Sequence, residues 1–324
     1  MPRQAAKELV MLYYAALDQA TPDSVAEVLG AFVVPDYIWR GFHPFGEITG
    51  AEAVATQFWA PLLTSLTCKR RQDIFFAGEN TLEGEPGVWV VSMGHLMGLF
   101  DVAWLGIPPS GKLGMLRYCE FNRVFDGKIV ETAMYFDIPH LAAQAGLVLF
   151  PNQTAAHLVQ PGPATHGGLL FEPQPEAEGK ATLAAIEAMI TDLGTWQSGM
   201  SLEDELARTW HHDMLWWGPE GIGSTYTIER YAMQHSGPFR AAFSGRSKTR
   251  HIARLSEGHF GGFFGWPNFT ATLTGPFMGV AATGKSAEFR VIDIYRRDGH
   301  KLAENWVFID LLHFWHQQGI DVLK

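Results

Sequence analysis

Leu9, Leu12, Tyr13 and Ala16 recur at three- and four-residue spacing between Ala6 and Asp18, which predicts an amphipathic helix. A second such helix is expected over Ala181–Leu193. Each is followed by another helix, the first capped by Thr21-Pro22-Asp23 and the second by Ser201 with Glu203 and Asp204 in its first turn. A short strand (Tyr37-Ile38-Trp39 or Met214-Leu215-Trp216), a Gly-rich loop and a helix bearing Phe58-Trp59 or Tyr231-Ala232-Met233 come next. Four strands then run to the end of each half, punctuated by Asp126-Gly127 and Asp298-Gly299. A short helix over His140–Ala145 or His313–Gln318 closes each half. Helices first and antiparallel strands afterwards is the α+β order.

The two halves are copies. Gly127-Lys128-Ile129-Val130-Glu131 and the residues up to Asp137 match His300-Lys301-Leu302-Ala303-Glu304 and the residues up to Asp310, an offset of 310 − 137 = 173. The same offset pairs Gly106 with Gly279, Arg117 with Arg290, His140 with His313 and Gly146 with Gly319. Earlier in each half the offset is 213 − 36 = 177, and it pairs Asp36, Trp39, Gly41 and Glu52 with Asp213, Trp216, Gly218 and Glu229. A repeat of this period is a domain rather than a solenoid unit. The expected layout is a domain over 1–149, a linker over 150–179 with Pro151, Pro161, Pro163, Pro173 and Pro175, and a second domain over 180–324.

Alternation divides the last strand into two faces. Ile129, Glu131, Ala133, Tyr135 and Asp137 form one, as do Leu302, Glu304, Trp306, Phe308 and Asp310 in the second copy. This face carries carboxylates and aromatics, and is the expected pocket wall. The opposite set, Val130, Thr132, Met134 and Phe136, is nearly all apolar and is expected to be buried, with the other copy as a candidate partner.

Composition narrows the class. Net charge −10, and Lys69-Arg70-Arg71 as the one basic run, exclude a nucleic-acid footprint. Cys68 and Cys119 give neither a disulfide framework nor a CxxC pattern. The N-terminus lacks a signal-peptide core and no apolar stretch approaches a membrane span, so a cytoplasmic protein without membrane association is expected. Eleven Trp and twenty-two Phe are enough to line pockets as well as fill cores. His313-x-x-His316 has no completing ligand set, so no metal is expected, and the Gly261–Gly265 run lacks the phosphate-loop pattern.

The Gly-Lys-(Ile/Leu)-x-Glu strand running into Asp, then a short helix and a Gly, resembles the end of the SnoaL-like polyketide cyclase (ester cyclase) family. That family lies within the cone-shaped superfamily named after nuclear transport factor 2. The resemblance covers both copies and implies two tandem cones, each a curved sheet wrapped against helices, packed as an intramolecular pseudo-dimer, with further homo-oligomers left open. It also implies a small-molecule substrate, no cofactor, and aldol-type closure by a pocket carboxylate, which falls at Asp137 and Asp310.

Residue chemistry leaves alternatives beside each assignment. Asp137 and Asp310 are either desolvated proton carriers or N-caps of the helices that follow. Glu131 and Glu304 belong either to the pocket or to cross-strand pairs with arginines such as Arg123 and Arg296. His43, opposite Glu220, is either a proton acceptor or a solvated loop residue. Trp39, Tyr135, Trp216, Trp217 and Trp306 complete the candidate pocket, and the second copy, richer in Trp, is expected to hold the better-formed one. A cyclase or isomerase is the favoured class, with a binding protein or a hydrolase as rivals.

Overall fold

A computed structural model describes residues 2–150, 154–194, 199–248 and 250–323. The chain forms two compact units. Unit one contains residues 1–149, 161–173 and 321–324, and unit two contains residues 150–160 and 174–320.

Unit one opens with α1 (Arg3–Leu17) and α2 (Val25–Phe32), followed by β1 (Val33–Gly41) and β2 (Gly46–Thr49). The next helix is α3 (Ala51–Val54), which widens into a π turn over Ala55–Trp59 and continues as α4 (Ala60–Ser65). Long strands follow: β3 (Leu66–Glu79), β4 (Val88–Phe100), β5 (Lys112–Phe125) and β6 (Lys128–Phe136), then α5 (Ile138–Gln144). The six strands form one sheet in the order β2-β1-β6-β5-β4-β3, antiparallel except for the β1/β6 pair. The β5–β6 hairpin turns on Asp126 and Gly127, both at positive φ as its short loop requires. Helix α1 lies against β3 and β4, burying Ala6, Val10, Tyr13 and Leu17 at helical spacing.

Unit two repeats the plan. Its elements are α6 (Glu176–Leu193), α7 (Leu202–Ala207), β7 (Trp210–Trp217), β8 (Ser224–Tyr226) and α8 (Ile228–Tyr231). A π turn over Ala232–Ser236 leads into α9 (Gly237–Ala242), then β9 (Phe243–Ser244), β10 (Ala253–Glu257), β11 (Phe260–Leu273), β12 (Ser286–Asp298), β13 (Lys301–Ile309) and α10 (Leu311–Gln318). The sheet order is β10-β11-β12-β13-β7-β8, with β9 also paired to β11. Ser201 caps α7 as expected, its Oγ accepting the Asp204 N–H at 3.1 Å. At the start of α2, by contrast, the helix begins only at Val25, and no side-chain cap is formed.

Two differences from the expected layout matter. The segment 150–179 is not one spacer: α6 already begins at Glu176, and 161–173 pack with unit one. There Gly168 and Leu170 bond to Phe75 at the free edge of β3, and Lys7 donates to the Leu170 carbonyl. Pro151 lies outside the described residues. The second difference separates the units: the single strand β3 of unit one is two strands in unit two, β9 and β10, with Gly245–Ile252 between them.

Candidate active site

Unit two holds a partly open cavity of about 130 Å³. Its floor is the inner face of the sheet, where register fixes which residues meet. Asp293 is opposite Val307, Tyr295 opposite Asn305, and Val291 opposite Ile309, while Asn305 neighbours Trp216 and Asp293 neighbours Phe263. Helices supply the far wall through Met189 and Leu193 of α6, Tyr231, His235 and Phe239. Arg246 and His251 enter from the irregular residues between β9 and β10.

The carboxyl in this cavity is Asp293. It keeps part of its surface because it borders the open space, yet the aromatic walls strip away its water. Desolvation pushes it from the usual 3.8 up to about 7, against weaker opposing effects from hydrogen bonds to Asn305 and Tyr295 and from the Arg246 charge. Asn305 Nδ2 donates to Asp293 Oδ1 at 3.3 Å and to the Ile294 carbonyl at 3.0 Å, which fixes the carboxyl's orientation.

The two cavity histidines are driven the other way. His235 stacks on Trp216, with ring centroids 4.0 Å apart, and burial lowers it to about 3. His251 stacks on Phe263 at 3.8 Å and is lowered to about 3, first by burial and then by Arg254 and Arg246. Both are neutral imidazoles at physiological pH. Trp216 can fold back to meet His235 because Gly218 follows it, where a Cβ would overlap the indole ring; Gly41 does the same for Trp39.

The residues expected as site residues fall elsewhere for the most part. Asp137 caps α5, Oδ1 accepting the His140 N–H at 3.1 Å, with Arg117 beside it; burial lowers that guanidinium to about 10 while Asp137 pulls upward. Asp310 caps α10, accepting the His313 N–H at 3.1 Å, and its other oxygen lies 3.6 Å from Arg290. The capping alternative therefore describes both aspartates. Glu131 is paired with Arg40 and with Arg123 (3.1 Å), and Glu304 with Arg296, as cross-strand register allows.

Trp306 is fully buried on the same face as Glu304, away from the cavity. Tyr135 packs on Phe42 at 4.4 Å. Trp39 sits inside unit one against Phe58, and His43 is half-buried in the turn after β1. Trp217 borders a separate shallow groove with Leu215, Tyr226 and Arg230. Of the expected pocket residues, Trp216 is the one that lines the cavity. The two sets differ in phase along the strand. The carboxylate-rich face of the last strand points out of the cone, and Asn305, Val307 and Ile309 point in.

A signal for Asp293 was present in the sequence. The 173-residue offset pairs it with Glu120 (293 − 120 = 173), so both copies carry a carboxylate at this position. Among the described residues no cluster of three or more His, Cys, Asp or Glu could hold a metal ion, and no helix is long and apolar enough to cross a membrane.

Two tandem cones of the α+β class, one with a desolvated carboxyl in an aromatic cavity, define the kind of protein this is. Residues 267–318 match the SnoaL-like polyketide cyclase family, bearing out the resemblance carried by the terminal motif and covering β12, β13 and α10. The chain is also similar in structure to a SnoaL-like protein from Jannaschia sp. CCS1 (23% identity, 46% of this chain and 94% of that one, TM-score 0.33). It is also similar to TsrD from Streptomyces laurentii (20% identity, 42% of this chain and 96% of that one, TM-score 0.33) and to an NTF2-like protein from Burkholderia xenovorans LB400 (12%, 43% and 97%, TM-score 0.34). The chain has no match among curated proteins.

Proposed function

We propose that unit two is an acid–base catalyst of the cyclase or isomerase type, with Asp293 carrying the proton. The observation behind this reading is a carboxyl held at about 7 inside an aromatic cavity, next to an amide that orients it. A carboxyl poised near neutrality both removes a proton from carbon and returns one, since neither form is scarce. Asn305 and Tyr295 offer N–H and O–H donors that would stabilise an enolate as it forms. His235 and His251, being neutral, supply polar edges without competing for the proton. The step needs no cofactor: the proton leaves carbon for Asp293 and the electrons settle on the carbonyl oxygen; then either the proton returns at a second carbon, or the enolate adds to a carbonyl within the same molecule and the alkoxide so formed takes the proton back from Asp293.

The test is hydrogen–deuterium exchange at the activated carbon of small cyclic ketones and 1,3-dicarbonyls, followed by NMR in D2O. Wild-type protein should catalyse exchange, and Asp293→Asn should bind the same probes without exchanging them. Unchanged exchange in Asp293→Asn sinks the proposal. Binding without any exchange by the wild type identifies a carrier instead, and solvent oxygen appearing in an ester-derived product identifies a hydrolase.

A further inference from the structure

His251 is held from three sides. Its ring lies parallel to Phe263, with centroids 3.8 Å apart. On either side of it the backbone bonds to β11, from the Arg250 N–H to the Asn268 carbonyl at 2.5 Å and from the Ile252 N–H to the Phe264 carbonyl at 2.8 Å. Arg254 Nη2 lies 3.1 Å from His251 Nδ1, and Nη1 of the same guanidinium lies 3.4 Å from Glu187 Oε1 on α6.

The contact with Arg254 decides the tautomer. A guanidinium has N–H donors and no acceptor, so Nδ1 must present its lone pair to Arg254. The ring proton of the neutral imidazole is then on Nε2. Arg254 and Arg246 both discourage a second proton. Among the described residues the ring's one hydrogen bond is the one at Nδ1, which leaves the Nε2–H for an occupant of the cavity that His251 lines.

Register brings this ring close to the chemistry. Phe263, on which His251 stacks, is directly opposite Asp293, and such cross-strand partners lie about 5 Å apart at Cβ. The arrangement belongs to unit two: the 177-residue offset puts Ile74 and Ala77 of unit one at the positions of His251 and Arg254 (251 − 74 = 177; 254 − 77 = 177).

From this placement we infer that His251, as an Nε2–H donor, binds the carbonyl oxygen of the substrate in the unit-two cavity and steadies the charge that grows there, with Arg254 as the positioning residue that fixes its tautomer, an assignment that rests on proton transfer by Asp293. As Asp293 takes the proton from carbon, the electron pair moves to the oxygen and the bond from Nε2–H tightens; His251 keeps its proton throughout. A donor locked in this way also selects the occupant, since an acceptor oxygen must face it.

Nitrogen-15 NMR of the histidine-labelled full chain reads the tautomer directly, with His251 assigned through its own backbone. In wild type Nδ1 should carry a pyridine-type shift and Nε2 a pyrrole-type one. Adding cyclohexanone should move the Nε2 resonance, and methylenecyclohexane, which has no oxygen, should not. Arg254→Met should let both tautomers populate and lower kcat for exchange, whereas Arg254→Lys, which restores a donor-only group, should keep the wild-type tautomer. His251→Phe keeps the ring stack and removes the donor, so exchange should fall about 10²- to 10³-fold. A protonated Nδ1 in wild type, an Nε2 resonance indifferent to cyclohexanone, or undiminished exchange in His251→Phe overturns the inference. Exchange at the wild-type rate in Asp293→Asn, with the expected His251 tautomer and ketone response, would instead reject proton transfer by Asp293 and support the carbonyl contact.

Discussion

The same position in the two units carries a carboxylate with opposite fates. In unit one Glu120 meets Arg70 Nη1 at 2.7 Å, and the Arg70 guanidinium is sandwiched 3.8 Å from Tyr14 and 4.4 Å from Tyr118. Around this pair run bonds from Gln72 to Ser92, between Ser92 and Tyr118, from Asn122 to Tyr14 and from Thr132 to Asn122. The counterparts of the cavity floor, Tyr118, Glu120, Asn122, Thr132, Met134 and Phe136, are between 0 and 1% exposed. In unit two Asp293 borders open space, and the cation that acts on it, Arg246, belongs to an irregular segment rather than to a strand. The difference traces to one break in the chain. A continuous β3 delivers Arg70 onto the sheet face, whereas the β9–β10 interruption lets the wall stand back from Asp293.

A second substitution reinforces the first. The 177-residue offset pairs Phe58 with His235 (235 − 58 = 177), so the ring against the conserved-in-both-copies Trp is a hydrocarbon in unit one and an imidazole in unit two. In unit one Phe58 belongs to a cluster with Phe45, Trp104 and Phe136 that fills the cone with hydrocarbon. The same sheet face thus meets packed aromatic side chains in unit one and a cavity in unit two, and a few side chains mark the difference.

The largest expected contrast is catalytic. Asp293→Asn should lower exchange by about 10²- to 10⁴-fold, and Glu120→Gln should leave it unchanged. Equal losses would place chemistry in both units and break the comparison. The next is stability. Arg70→Met leaves Glu120 buried without its cation and should destabilise unit one by about 3–5 kcal/mol in denaturant unfolding, while the double variant Arg70→Met, Glu120→Met should recover most of that loss.

A pH series sharpens the picture. The folded-state carboxyl of Asp293 holds its proton up to about 7 while the unfolded chain releases it near 3.8, so ionisation opposes folding as pH rises through that window. Asp293→Asn should therefore gain stability relative to wild type between pH 4 and 7, approaching about 4 kcal/mol at most. His235 and His251 act oppositely: lowered to about 3, they withdraw stability as pH falls below the usual histidine range. The difference between the two proteins isolates the aspartate. The capping aspartates should matter for stability and not for chemistry: Asp137→Ala and Asp310→Ala remove a cap worth about 1 kcal/mol and also the carboxylate beside Arg117 or Arg290, so each should lower the thermal midpoint while leaving exchange in place.

Much of the architecture was legible from residues. Offsets of 173 and 177 reveal the duplication, and the α+β order follows from helix-spaced apolar residues giving way to alternating strands. Arg123 and Arg296 as partners of Glu131 and Glu304 also follow from adjacency. The site was legible only as a type of chemistry. Alternation along β13 separates Glu304, Trp306 and Asp310 from Asn305, Val307 and Ile309, but it does not say which set faces inward. Carboxylates and tryptophans drew attention to the face turned away from the cavity, where arginines and helix N-termini engage the acids. Asp293 lies on a strand whose neighbours, Ile292 and Ile294, are buried on the opposite face, so its setting depends on long-range register. The break between β9 and β10 likewise has no local marker beyond Gly245 at positive φ.

The central claim is that the Asp293 carboxyl, in the cavity of unit two, is kept half-protonated at neutral pH. Carboxyl-carbon NMR on ¹³C-labelled aspartate, with the Asp293 resonance assigned by its loss in Asp293→Asn, measures this directly. A midpoint close to 7 is the expected result. A midpoint near 4, the value of an aspartate in water, would contradict it.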